Sequence, residues 1–260
     1  MTQPVLEARG LYRSFGALAV IRDVTLKIEA GARHALIGPN GAGKTTLVHL
    51  LSGMVSPNSG QILLMGEDIT RARPQKRVKQ GLVRTFQINN LFRGLTVLEN
   101  IYLAISENIS ASRDMIAAAS NRRDIIDKAD DLIGRLGLTE DRNRKVSEVP
   151  YGRQRLVELA IGLSLSPKVL LLDEPTAGVP SAEIGALLAA IGNLPKETAI
   201  IVIEHDMQVV RRIADQVTVL VAGSVLMSGA PESVISSEAV RTVYLGKSGY
   251  DRFKTESLLS

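Results

Sequence analysis

Gly38-Pro39-Asn40-Gly41-Ala42-Gly43-Lys44-Thr45 decides how the rest of this chain is read. It fits the pattern G-x-x-x-x-G-K-[ST] in full. Glycines at 38, 41 and 43 let the backbone wrap an anion, so that successive amides and the N-terminus of the next helix point at phosphate groups. Pro39, Asn40 and Ala42 complete the loop, and Thr46 follows it into that helix. Lys44 supplies a point charge to β- and γ-phosphates, and the Thr45 hydroxyl suits Mg2+. Such a loop needs a buried strand before it and a helix after it. Ala35-Leu36-Ile37 reads as the strand and the apolar run from Thr45 to Leu51 as the helix. These residues imply a nucleotide-binding protein.

Outward from the loop, Val169-Leu170-Leu171-Leu172-Asp173-Glu174 is an apolar strand ending in two acids. Four apolar residues carry the chain through a sheet and leave Asp173 at its carboxyl edge. There Asp173 can hold the water shell of Mg2+, and Glu174 can orient and deprotonate a water for attack on the γ-phosphate. His205, in Val202-Ile203-Glu204-His205-Asp206, again follows a buried strand and can bridge γ-phosphate and attacking water.

Between these points the hydrophobic period changes. Val5-Leu6-Glu7-Ala8 and Val24-Thr25-Leu26-Lys27-Ile28 alternate like half-buried antiparallel strands, with Gly31 as a turn, and Gln61 to Gly66 returns to strand. From Thr96 the pattern is helical. Thr96 and Glu99 form a capping box, Ile126, Ala129, Ile133 and Leu136 recur at helical spacing, and Gly137 is a stop. Val169 to Leu172 and Ala199-Ile200-Ile201-Val202-Ile203 are continuous apolar runs, the mark of parallel strands covered on both faces. The order is α/β, a helical insert, then α/β again.

Composition excludes several alternatives. The chain has 260 residues, 31 Lys+Arg against 27 Asp+Glu, and no Cys. A disulfide scaffold, a thiolate nucleophile and a Cys-ligated metal are thereby ruled out. A net charge of +4 suits an anionic ligand, nucleic acid or the inner membrane face without choosing among them. No signal peptide is expected, and no apolar run approaches the roughly 20 residues of a membrane span. The basic cluster Arg71, Arg73, Lys76, Arg77 and Lys79 reads as a solvated face, so no nucleic-acid partner is expected.

Taken together these residues resemble the ATP-binding cassette (ABC) ATPases over nearly the whole chain. The distinguishing element is Val149-Pro150-Tyr151-Gly152-Arg153-Gln154, which resembles that family's signature motif. The resemblance implies that Tyr151, Gly152 and Arg153 cap the γ-phosphate bound on an opposing subunit. It also implies that Gln87, in Arg84-Thr85-Phe86-Gln87, senses Mg2+ and the membrane partner, and that Phe15 stacks on adenine, with Tyr12 the weaker candidate. The implied fold is a P-loop NTPase (RecA-like) α/β core over residues 4–245. It carries an N-terminal antiparallel β subdomain and an inserted α-helical subdomain at about 92–165, with a tail at 246–260.

The Pro-Tyr-Gly signature, Glu204-His205-Asp206-Met207 and Tyr244-Leu245-Gly246 resemble the longer ATPase subunit of branched-chain amino acid importers. Such a subunit binds and hydrolyses ATP with Mg2+ at the inner face of the cell membrane. Its partners are two membrane permease subunits, a second cassette (a heterodimer expected, a homodimer the alternative) and an extracytoplasmic substrate-binding protein acting through the permease. The segment 91–100 is where a permease helix is expected to dock. Relatives that import urea or amides, that export lipid or lipopolysaccharide, or that act on nucleic acid are the alternatives. Two positions depart from the family pattern. Pro150 replaces the superfamily's signature serine, and Pro180 stands where a polar residue is usual, removing a side-chain amide and a backbone donor. Either ATP on a partner's loop turns over more slowly than ATP on Lys44, or nearby backbone carbonyls do the same work and Pro180 is neutral.

Overall fold

The computed structural model describes residues 3–85, 91–110 and 121–245. In chain order the strands and helices are β1 (Leu6–Phe15), β2 (Leu18–Ile28), β3 (Arg33–Ile37), α1 (Lys44–Ser52), β4 (Ser59–Leu64), β5 (Glu67–Asp68), α2 (Pro74–Lys79), β6 (Leu82–Thr85) and α3 (Val97–Ser110). There follow α4 (Asn121–Arg135), α5 (Tyr151–Ser164), β7 (Val169–Asp173), α6 (Ser181–Gly192), β8 (Ala199–Ile203), α7 (Met207–Ile213), β9 (Gln216–Val221), β10 (Ser224–Gly229), α8 (Pro231–Ser236) and α9 (Glu238–Leu245). Contacts divide the chain into two units. One combines the residues up to Pro74 with those from Ala199 onward, and the other is Gln75–Thr198.

In the first unit, β2-β1-β4-β5 form an antiparallel sheet. Its period-2 pattern places Leu6 and Ala8 inside, a shift of register between Ala8 and Leu11 brings Leu11 inside as well, and Leu6 faces Ile28 on one side and Leu64 on the other. Both strands run well beyond the short alternating segments visible in the sequence. β3 lies between β8 and β9, parallel to each, and β10 adds an antiparallel edge. Ala35 and Ile37 of β3 pack with Val217 and Val219 of β9, Val210 of α7, Val234 of α8 and Val240 of α9. Each valine or isoleucine side chain so withdrawn from water contributes about 1.5–3 kcal/mol. That packing holds rigid the strand that delivers the chain into the glycine loop.

In the second unit, β6 and β7 pair in parallel, and α3, α4 and α5 pack on one another. The capping box forms as expected. Glu99 accepts from the Thr96 amide at 2.7 Å, and the Thr96 hydroxyl accepts from the Glu99 amide at 3.1 Å. Gly137 ends α4 with φ +68, the Leu138 amide reaching back to the Ile133 carbonyl. The buried stripe of α4 differs by one residue from the sequence expectation. Ile125, Ala129, Leu132 and Ile133 face inward, while Ile126 is 36% exposed. Ile125 and Ala129 are a full i, i+4 step apart, and Ile126 falls just past the edge of that face. Arg77 also departs from expectation: it is fully buried, whereas Arg71, Arg73, Lys76 and Lys79 are exposed. Its long stem is buried rather than solvated.

Candidate functional site

The first unit carries the phosphate loop. Gly38, Gly41 and Gly43 all have positive φ, at +152, +78 and +101. At Gly38 the demand for glycine is steric as well, since a Cβ would sit 2.2 Å from the Leu220 carbonyl oxygen of β9. The loop is closed by the Ala42 amide on the Pro39 carbonyl at 3.1 Å, and Gly223 of the β9–β10 turn holds the Ala42 carbonyl at 3.0 Å. α1 begins at Lys44, and no side chain caps its Gly43 end. Its first-turn amides are therefore of the kind that accept an anion. Lys44 folds back over the loop, Nζ donating to the carbonyls of Gly38 at 2.7 Å and Pro39 at 3.0 Å. Thr45 is exposed and Thr46 half-buried.

His205 is exposed just past β8, and Glu204 beneath it is buried, its carboxylate accepting from the His205 amide at 3.3 Å. Asp206 caps α7 through the Gln208 amide at 2.8 Å, which fixes the chain direction after His205. Phe15 ends β1 with its ring 47% exposed and the Arg13 guanidinium 4.5 Å from its centroid; Tyr12 is 37% exposed. Tyr244 of α9 reaches the phosphate loop from the other end of the chain. Burial pushes its phenol up to about 12, with a smaller opposing pull from the Gly38 backbone.

The second unit carries the acids and the signature. All five residues of β7 are buried, Asp173 included. Glu174 then leaves the strand with φ +48, a left-handed conformation that costs a non-glycine residue energy. Gln87 lies outside the described residues. Pro150 occupies the N-cap position of α5 with φ −54, and the helix proper opens at Tyr151.

Several partners in this unit carry no local sequence signal. The Gly152 amide donates to the Glu183 carboxylate of α6 at 2.8 Å, so an anion from the same chain sits at the start of α5. Only glycine permits this approach, because a Cβ on residue 152 would lie 2.2 Å from that carboxylate oxygen. Arg153 is tied to the buried Asp141 carboxylate and to the Gly137 carbonyl at 2.7 Å, with Arg144 holding Asp141 from its other side at 2.8 Å. Tyr151 is partly exposed under the Arg155 guanidinium, 5.1 Å from its ring centroid. Arg155 pairs with Glu158 at 2.7 Å, and burial pushes the Glu158 carboxyl up against the pull of that arginine. Pro180 takes the N-cap position of α6, its carbonyl accepting from the Glu183 amide at 2.8 Å.

A phosphate loop on a parallel strand, a strand ending in Asp-Glu and a helix opened by Pro-Tyr-Gly define an ATP-binding cassette. Residues 21–177 match the ABC transporter family model, and the chain belongs to that family. Among curated proteins it is 37% identical over 255 residues to the high-affinity branched-chain amino acid transport ATP-binding protein LivG of Escherichia coli K12, covering 95% of this chain and 100% of that one. It is 37% identical over 254 residues to BraF of Pseudomonas aeruginosa, described in the same words, again across 95% and 100% of the two chains. Among solved structures, the ADP conformation of MJ1267, an ATP-binding cassette of an ABC transporter, superposes with a TM-score of 0.82 at 27% identity, covering 94% of this chain and all of that one. The fold is thus that of the P-loop NTPase cassettes, and the chain is an ATPase of the ABC type. Among the described residues no helix is long and apolar enough to cross a membrane.

Proposed function

We propose that this chain is the ATP-hydrolysing subunit of an importer for branched-chain amino acids, working at the inner face of the membrane with separate permease subunits, a second cassette and an extracytoplasmic binding protein. The observation that carries this reading is the full-length likeness to LivG and BraF, whose names state branched-chain amino acid transport. The exposed Phe92, in a turn that Asn100 braces through the Phe92 amide and carbonyl at 2.9 and 3.1 Å, supports segment 91–100 as the permease contact.

In this reading the phosphate loop binds ATP. Gly38, Pro39, Asn40, Gly41, Ala42 and Gly43 surround the phosphates, Lys44 leaves its carbonyl partners to meet the β/γ-phosphate charge, and Thr46 extends the helix start. Phe15 offers its exposed ring to adenine. Glu174 takes the proton of the attacking water, His205 holds that water against the γ-phosphate, and Gln87 senses Mg2+ and the membrane partner. Tyr151, Gly152 and Arg153 meet the γ-phosphate of the second cassette. Mg2+ requires hard oxygen ligands and keeps most of its water and phosphate ligands. The Thr45 hydroxyl and the Asp173 carboxylate fit that demand, and when bound the ion screens the phosphate charge.

The test is uptake in the native host carrying Lys44→Ala. Labelled leucine uptake is expected to fall to the level of a strain without permease. Unchanged leucine uptake, with Lys44-dependent uptake of urea or a short amide instead, would overturn the substrate assignment.

A further inference from the structure

Asp173 does not stand alone at the end of β7. β6 runs parallel beside it, with Arg84 opposite Leu171 and Thr85 opposite Leu172. That register brings the Arg84 guanidinium onto the carboxylate, Nη2 donating to Oδ2 at 2.5 Å. Both side chains are withdrawn from water, at 9% and 5% exposure. The other carboxylate oxygen accepts no hydrogen bond from the described residues. Among those residues there is also no cluster of three or more His, Asp or Glu able to cage an ion, so at the edge of β7 Asp173 has only Glu174 beside it as a further carboxylate.

We propose that Arg84 is a positioning and charge-balancing residue for Asp173. It holds the carboxylate in one orientation, yet leaves its charge too nearly balanced to hold a divalent cation unless nucleotide phosphates add their own charge. The inference rests on the reading of Asp173 as the ligand to the Mg2+ that accompanies ATP. Two effects of Arg84 oppose each other. Fixing the Asp173 rotamer favours metal binding, while a permanent guanidinium charge within hydrogen-bond reach repels a dication. In a site so poorly hydrated the Coulomb effect is little screened and outweighs the loss of one rotamer's freedom. Arg84 therefore disfavours a divalent cation at Asp173 whenever nucleotide phosphates are absent.

The test is Mn2+ binding to the full chain, followed by electron paramagnetic resonance without nucleotide and with a non-hydrolysable ATP analogue. Without nucleotide, Arg84→Met is expected to bind Mn2+ at least about tenfold more tightly than the parent. Arg84→Lys, which keeps the charge, is expected to stay close to the parent. Arg84→Gln removes the charge but keeps a donor to Asp173, and it carries the same expectation as Met should the Met variant fail to fold. Equal or weaker Mn2+ binding in the neutral variants, or none measurable in any of them, would overturn the proposal. Asp173→Asn separates the two levels. If it binds Mn2+ with the analogue as the parent does, the assignment of Asp173 as ligand is wrong whatever Arg84 does.

Discussion

His34 is buried in β3, its Nε2 2.8 Å from the Thr218 hydroxyl, which lies 2.7 Å from the Ser228 hydroxyl. Burial lowers its pKa from 6.5 to about 4. The unfolded chain therefore binds a proton that the folded chain refuses between those values. The stabilisation is complete above about pH 6.5, fades as pH falls toward 4, and does not change further below that. The shift corresponds to about 3 kcal/mol. Urea unfolding at pH 7 and pH 4 should show the parent losing about that much more stability than His34→Gln. Identical pH dependence in the two proteins would mean that His34 is hydrated in the folded state. At this scale the sequence was legible wherever chemistry follows fixed spacing. Lys44, Thr45, Asp173 and Glu174 stand at positions that a loop or a strand end dictates. Arg84 and Glu183 were not legible, because each meets its partner across a gap of sequence that only the sheet register or the helix packing closes.

Among the elements, the junction of α5 with α6 shows how a glycine and a carboxylate specify each other. Glu183 accepts from the Gly152 amide, one of the first-turn donors that no intrahelical carbonyl can satisfy. Glu183→Ala leaves that donor without its charged acceptor and should cost about 1 kcal/mol in urea unfolding, since the carboxylate is only half-buried. Gly152→Ala forces the carboxylate away and should cost more than Glu183→Ala. Combining the two should add little to Gly152→Ala alone, because both remove the same contact. Fully additive losses would show that the two residues act independently. Helices and strands were legible as types from their periods, and the Thr96–Glu99 box marked a true helix start. The phase of α4 was not. Ile125 and Ile126 are adjacent apolar residues, and only the packing of α3 and α5 decides which of them is inside.

For the molecule, one unit carries the glycine loop and His205, and the other carries Asp173, Glu174 and the Pro-Tyr-Gly helix. The central claim is that Lys44 binds the phosphates and Glu174 drives their hydrolysis. ATP affinity and single-turnover hydrolysis, measured side by side in the parent, Lys44→Ala and Glu174→Gln, test it most directly. Lys44→Ala should weaken ATP binding at least about tenfold by removing the charge that meets the β/γ-phosphates. Glu174→Gln should bind ATP as the parent does while its hydrolysis falls about a hundredfold or more, since the amide keeps the shape but accepts no proton. Parental hydrolysis in Glu174→Gln, or parental ATP affinity in Lys44→Ala, would contradict the account.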